Sequence, residues 1–215
     1  MEHAKTSVLL IDDHPMLRSG IKQLINASPL FQVTGEAGDG VTGLAIAKEH
    51  EPDIILLDIN LRDVSGLSIL GQLRESGVSS RIIMFTVSDD RQDIITALKN
   101  GADGYLLKDM EPEDLIFALQ EAAAGKIKMD STVSRIVLEH LSGAGLSQDA
   151  IHDVSLLTPR ELEIFNLLVQ GLSNKRIARE LNIVDSTVKV HVKNIFKKMN
   201  FKSRMEIAVW YLNSR

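Results

Sequence analysis

The chain has 215 residues, no cysteine and a formal net charge of -5. The length exceeds that of a usual single domain, so one large or two modest domains are expected, and the missing cysteine excludes a disulfide framework, a thiolate metal site and a thiol nucleophile. Residues 1–154 carry 13 basic against 24 acidic side chains and residues 155–215 carry 11 against 5, so an acidic body holds a basic tail; that favours two domains and an anionic partner for the second.

The opening MEHAKTSVLLIDD meets acidic residues after only four apolar ones. This predicts neither a signal peptide nor a membrane span, hence a cytoplasmic protein with no membrane partner. Short apolar, β-branched-rich runs then predict strands near 7–12, 31–36, 54–58, 81–86 and 104–108. Helical patterns fill the gaps at about 15–27, 40–50, 65–76, 90–100 and 111–125. In the first, Met16, Leu17, Ile21, Leu24 and Ile25 repeat at helical spacing and are expected to bury one face. Five βα units with right-handed crossovers fit an α/β fold, a flavodoxin-like doubly wound parallel sheet of strand order 2-1-3-4-5. It is assigned to residues 1–128. Residues 129–153 read as a linker with one short helix in STVSRIVLEHL, striped by Ile136, Val137, His140 and Leu141.

Residues 154–215 predict a small all-α domain of four helices. Thr158, Pro159 and Glu161 form a capping-box pattern that starts the first helix, with Leu162, Phe165, Leu168 and Val169 toward a core. Gly171 stops it, Ser173 caps the second, whose Ile177, Ala178 and Leu181 turn inward, and Asn182 is a second stop. The third, about 185–199, buries Val188, Val192, Ile195 and Met199 and lines another face with Lys189, Lys193 and Lys197. A fourth begins at Ser203, with Met205, Ile207, Ala208 and Trp210 as apolar surface. A short helix, a tight turn and a cationic second helix are the helix-turn-helix arrangement that enters the major groove of duplex DNA.

Four strands of the first domain end on a polar group: Asp12 and Asp13 after VLLI, Asp58 after DIILL, Thr86 after RIIMF and Lys108 after GYLL. Parallel sheets bind ligands outside the carboxyl ends of their strands, so these side chains are expected to converge. Crowded carboxylates repel unless a cation joins them, and Mg²⁺ with phosphate oxygens suits such a cluster, which predicts a phosphoryl-transfer site. Singly, each residue has a plainer reading. Asp12 and Asp13 serve equally as helix caps, Lys108 as a solvated lysine, Thr86 as a strand terminator, His14 as a turn residue and Tyr105 as core packing. Their joint spacing favours the site.

The segments IDDHP, LLDIN, GADGYLLKD, LTPREL and TVKVHVKNIFKKM, with Thr86, resemble a two-component response regulator of the NarL/FixJ class with a LuxR-type output domain, over nearly the whole chain. DDHPMLRSG and GADGYLLKDMEPEDL resemble its nitrate/nitrite-responsive branch most closely. The resemblance implies that Asp58 is the phosphoacceptor, charged by a sensor histidine kinase. It implies that Asp13, Asp58 and the Asn60 backbone carbonyl bind Mg²⁺, with Asp12 direct or through water. Lys108, Thr86 and Tyr105 are implied as the groups that pair with and respond to the phosphoryl oxygens. No small-molecule enzyme activity is expected beyond self-dephosphorylation.

For a homodimer on double-stranded DNA, Lys189, Val190 and Lys193 are expected at base edges, since one helical turn brings all three to the groove floor. Asn174, Lys175, Thr187, His191 and Lys202 are expected at phosphates. The helix around Trp210 is the candidate dimer surface. Val184 stands where the LuxR-type pattern has Ser or Thr, so the third helix lacks a side-chain cap unless Asp185 or Ser186 supplies one. Two rivals remain: an aspartyl-phosphate phosphatase or phosphotransferase, for which Asp58-Ile59-Asn60 lacks the second carboxylate of a haloacid-dehalogenase pair, and a receiver with an RNA-binding output. A final expectation follows from the charges: the acidic first domain covers the basic face until Asp58 is modified.

Overall fold

The computed structural model describes residues 5–126, 133–136 and 153–213. Five parallel strands, β1 (Thr6–Ile11), β2 (Phe31–Ala37), β3 (Ile54–Leu57), β4 (Arg81–Thr86) and β5 (Gly104–Leu107), lie in the order β2-β1-β3-β4-β5. Between and after them run α1 (Pro15–Ala27), α2 (Gly40–His50), α3 (Gly66–Glu75), α4 (Arg91–Lys99) and α5 (Pro112–Ala123). The doubly wound expectation therefore holds, with element ends within one residue of those predicted except that α5 stops two residues early.

Alternation along the strands explains why helices cover both faces. Leu9, Ile11, Ile55, Leu57, Ile82, Met84 and Tyr105 point to the side of α2, α3 and α4, where they meet Ala47, Ile69, Leu70, Leu73 and Ile94. Val8, Leu10, Ile54, Leu56, Ile83, Phe85 and Leu106 point to the other, against Ile21 and Ile25 of α1 and Leu115 and Leu119 of α5. A sheet so sandwiched needs continuous apolar strands, which is what the sequence supplies. Local chemistry sets the helix starts: Asp39, Ser65 and Asp90 accept backbone N–H bonds at the caps of α2, α3 and α4, and Pro15 and Pro112 open α1 and α5. One expectation fails in α1. Met16 and Leu17 are exposed, Ile21 and Ile25 are buried, and Leu24 is partly buried against the same core.

Of the expected linker helix, residues 133–136 are helical and Val133 and Ile136 join the core on the α2–α4 side. Val137, His140 and Leu141 lie outside the described residues.

After a 3-10 turn at Val154–Leu156, the second domain consists of α6 (Pro159–Val169), α7 (Asn174–Glu180), α8 (Asp185–Met199) and α9 (Arg204–Asn213). The capping box is formed: Glu161 N donates to the Thr158 hydroxyl at 3.3 Å and Thr158 N donates to Glu161 Oε2 at 2.8 Å. Gly171 and Asn182 carry the positive φ that ends α6 and follows α7. Val188, Val192, Ile195 and Met199 are buried as expected, and Phe165, Phe201 and Trp210 pack ring against ring with centroids 5.8–6.5 Å apart. Leu162 is exposed and Ile164 takes the inward place, one position off the expected stripe. Trp210 spends its ring on this core rather than on an outer surface.

The second domain rests on the edge of the sheet where the strands begin. Lys175 Nζ lies 2.8 Å from Asp53 just before β3, Lys189 Nζ donates to the Glu51 carbonyl at 2.6 Å, and Arg204 N donates to Asp103 just before β5 at 3.0 Å. Gly125 and Gly171 touch across the boundary so closely that a Cβ on Gly125 would overlap the Gly171 carbonyl.

Candidate functional site

The opposite edge, where the strands end, carries the acidic cluster. Asp12 and Asp13 follow β1, Asp58 follows β3 and Lys108 follows β5, and adjacency of β1 to β3 brings the three carboxylates together. Lys108 Nζ sits 2.6 Å from Asp58 Oδ2 and 2.8 Å from Asp12 Oδ2. All three side chains are almost fully buried, which strengthens their attraction relative to water. Lys108 N also donates to the Thr86 carbonyl at 2.9 Å, which places the end of β4 beside the pair.

His14, expected to be only a turn residue, belongs to the cluster as well. Its Nδ1 lies 2.8 Å from Asp13 Oδ1 and 3.2 Å from Asp12 Oδ1, and donor atoms of Asp12, Asp13, His14 and Asp58 all fall within 4.8 Å of one another. Arg62 was missed by sequence reading too: its Nε donates to Asp13 Oδ2 at 3.1 Å. So was Arg18, which donates to the Asp12 carbonyl. The only sequence signal for either arginine is its place one turn or one loop beyond an acidic strand end. Asp12 Oδ2 and Asp13 Oδ1 are buried and make no well-aligned hydrogen bond, meeting Lys108 Nζ and His14 Nδ1 at 2.8 Å as ion pairs, which is the state of oxygens suited to a cation. Asp12, Asp13 and Asp58 could thus hold a divalent metal. Asn60 N donates to Asp58 Oδ1 at 3.3 Å, which keeps the loop after Asp58 folded back on the carboxylate. Gly66 at the start of α3 allows this approach, because a Cβ there would collide with the Asp58 carbonyl.

Thr86 is fully buried, its hydroxyl accepting from Ser88 N at 3.2 Å, and Tyr105 is also fully buried, its hydroxyl donating to the Ser88 carbonyl at 2.8 Å. Both side chains therefore bind the same loop after β4. Burial pushes the Tyr105 hydroxyl well above its ordinary value, with Asp93 and its acidic neighbours adding to the rise and the Ser88 bond opposing it. It remains a neutral donor.

On the second domain, α7 and α8 form the two-helix unit, and Lys189, Val190 and Lys193 lie off the buried stripe of α8, with Val190 exposed. Val184 makes no side-chain cap bond, and Asp185 instead pairs with Lys189 at 3.3 Å. Several residues expected at DNA face the first domain instead. Lys189 reaches Glu51, the Lys193 side chain lies over Gly77, Lys175 pairs with Asp53, and Asn174 is buried as the acceptor of an Arg204 bond. Val190 is exposed, Thr187 and His191 are partly buried, and the Lys202 backbone lies against Gly101. Among the described residues no helix is long and apolar enough to cross a membrane.

Residues 8–120 match the family described as response regulator receiver domain, and residues 155–211 match bacterial regulatory proteins, luxR family. The chain is 51% identical over 209 residues to the nitrate/nitrite response regulator protein NarL of Escherichia coli K12, covering 97% of this chain and 96% of that one. It is 42% identical over 208 residues to NarP of the same strain, covering 97% and 95%. A solved structure of the response regulator ChrA, from a heme-sensing two-component system, aligns over 99% of both chains with a TM-score of 0.53 and 29% identity. A receiver joined to a helix-turn-helix output defines a two-component transcription regulator. The chain belongs to the response regulators with a LuxR-type output domain, and is a DNA-binding member of that family whose receiver implies a histidine kinase partner.

Proposed function

We propose that this regulator takes a phosphoryl group from a sensor histidine kinase onto Asp58 and, once modified, releases α8 to bind nitrate/nitrite-responsive DNA sites as a homodimer. The Lys108–Asp58 contact, at 2.6 Å the shorter of the two that Lys108 makes with the cluster, carries the reading, since it pairs the most deeply buried carboxylate with the cation that a phosphoryl oxygen would take over. In the transfer, an Asp58 oxygen attacks phosphorus in line as the phosphorus–nitrogen bond of the phosphohistidine breaks, and the freed imidazole keeps the electron pair and gains a proton. Asp13, Asp58 and the Asn60 carbonyl would hold Mg²⁺, with Asp12 direct or through water, and the bound ion would neutralise charge on the phosphoryl oxygens. Lys108 exchanges a carboxylate for a phosphoryl oxygen, and Thr86 turns its hydroxyl from the Ser88 amide toward the same group. That exchange loosens the loop which also holds Tyr105.

The closed arrangement explains why the unmodified chain would be weak on DNA. Lys189 and Lys193 are held against the receiver at Glu51 and Gly77, and a population shift toward an open form frees them. The nitrate/nitrite assignment is supported by the identity to NarL and NarP. A cytoplasmic location fits a partner of DNA. Radiolabel transfer from candidate kinases to the wild type and to Asp58→Asn, followed by footprinting on target DNA, tests the proposal; label on the variant, or no footprint after labelling, would refute it.

A further inference from the structure

Among the described residues, the boundary between the domains buries more positive charge than its carboxylates pair with directly. Arg74, Arg81 and Arg204 gather around Asp103 there. Asp103 is already committed: its Oδ2 accepts from Arg74 Nη2 at 2.5 Å and from Ile82 N at 3.0 Å, and its Oδ1 accepts from the Arg204 backbone N–H at 3.0 Å. Arg74 is fully satisfied, donating also to the carbonyls of Gly101, Val78 and Ser80 at 2.8–3.1 Å. Arg81 and Arg204 are not. Arg81, 6% exposed, has one long bond to the Gly171 carbonyl at 3.3 Å. Arg204, 9% exposed, gives its outer nitrogens to the neutral oxygens of Leu172 and Asn174, and its Nε is buried with no partner among the described residues.

Burial, reinforced by the charges of Arg81 and Arg74, pulls the Arg204 guanidinium down to about 9, with Asp103 and, less strongly, Asp185 opposing. A guanidinium keeps its proton at neutral pH even so, and an uncompensated buried charge is costly, so the arrangement calls for a counter-charge. Space for one exists. Two cavities of about 30 Å³ each flank the two arginines, one beside Ser79, Ser80, Ser173 and Asn174, the other beside Gly125 and Gly171. Either holds a particle the size of one or two waters. Asp53 and Lys175 on the rim of the first cavity pair with each other at 2.8 Å, and the carboxylate also accepts from Ser7, so that pair adds little net charge.

We propose that Arg81 and Arg204 form a binding site for one small monovalent anion, a halide or a compact oxyanion, clasped between receiver and output domains. The site rests on the closed arrangement proposed above, because Arg81 belongs to one domain and Arg204 to the other. It makes closure responsive to ion identity, independently of Asp58. An anion present at ten times its dissociation constant shifts the closed-to-open ratio about 11-fold toward closure.

The full chain has no native cysteine, so spin labels on Glu49→Cys and Lys197→Cys report the interdomain distance directly. Distance populations are recorded in sodium chloride, sodium nitrate and sodium gluconate at equal ionic strength. The expected result is a closed population that rises and saturates with chloride or nitrate but not with gluconate, and that loses this ion dependence in Arg81→Met. Preference for chloride marks a halide site and preference for nitrate an oxyanion site. A closed population that is the same in all three salts, grows without saturating, or keeps its ion dependence in Arg81→Met overturns the site while leaving the closed arrangement intact. No closed population in any salt overturns both. Since Arg204→Met also deletes the bonds to Leu172 and Asn174, line broadening of the chloride-35 resonance by wild type but not by Arg81→Met supplies a readout free of that complication; equal broadening by both counts against the site.

Discussion

Asp103 and Lys108 bracket the same four-residue strand, β5, and each makes a contact that defines one edge of the receiver. Lys108 holds Asp58 at 2.6 Å, while Asp103 holds the Arg204 amide of the output domain at 3.0 Å. Movement of Lys108 toward a phosphoryl group therefore acts on a strand whose other end is the anchor of the second domain. Neighbouring β4, with six residues, carries Thr86 at one end and Arg81 at the other. These two strands join the edges over roughly 17 Å at ~3.3 Å per residue.

Replacing Asp58 with Asn removes the nucleophile while preserving shape. Phosphoryl uptake from a kinase or a small acyl phosphate is expected to vanish, and DNA affinity to stay at that of the unmodified wild type. Gel separation of labelled protein checks the first and fluorescence anisotropy the second.

Lys108 competes with any cation for Asp12 and Asp58. Lys108→Ala is expected to tighten Mg²⁺ binding several-fold, since like-charged carboxylates then have no other counter-ion. It should also blunt the gain in DNA affinity on phosphorylation. Calorimetric titration of Mg²⁺ that weakens in the variant would contradict the assigned role.

The two lysines of the DNA face should differ in kind. Lys193→Ala is expected to weaken binding and relax sequence preference, whereas Lys175→Ala lowers affinity evenly and flattens the dependence of log K on log salt by about one. Equal losses on all sequences for both variants would remove the distinction. Measurements on the phosphorylated chain avoid the effect of Lys175 on closure.

Glu161 ties the capping box of α6 to Lys198 of α8, at 2.6 Å. Burial raises its pKa, but the bonds from Lys198 and Thr158 outweigh this and hold it below the ordinary 4.5. The sign follows: its stabilisation is present above the ordinary value and is lost as pH falls through the depressed one. Glu161→Ala is expected to cost about 1 kcal/mol from the loss of the hydrogen bonds its carboxylate accepts from Thr158, and its melting curve should change less than wild type between pH 5 and acid, on the order of the carboxyl range. An unchanged pH profile would show that Glu161 does not titrate on unfolding.

The strands and the acidic cluster were legible because each depends on short-range pattern: an apolar run ending in a polar group, repeated four times. Leu162 was misjudged for the opposite reason. A stripe leaves the rotation of a short helix ambiguous by about one position, and only packing against Phe165 and Phe201 decides which side faces in. His14 looked like a turn residue because its carboxylate neighbours include Asp58, 44 positions away. Asp103, Arg81 and Arg204 gave no signal at all, since a buried contact between two domains depends on how those domains dock. Val184 was read correctly as unable to cap, and the Asp185–Lys189 pair lies at the helix start instead.

Cross-linking between the domains tests release of α8 most directly. In the cysteine-free chain, Glu51→Cys paired with Val190→Cys puts one thiol beside the receiver contact of Lys189 and the other on α8, leaving Lys189 itself in place. A short bis-maleimide is expected to join them efficiently in the unmodified protein and poorly after beryllofluoride occupies Asp58, with DNA affinity rising in parallel. Equal cross-linking in both states, or full DNA affinity in the cross-linked protein, would contradict the account.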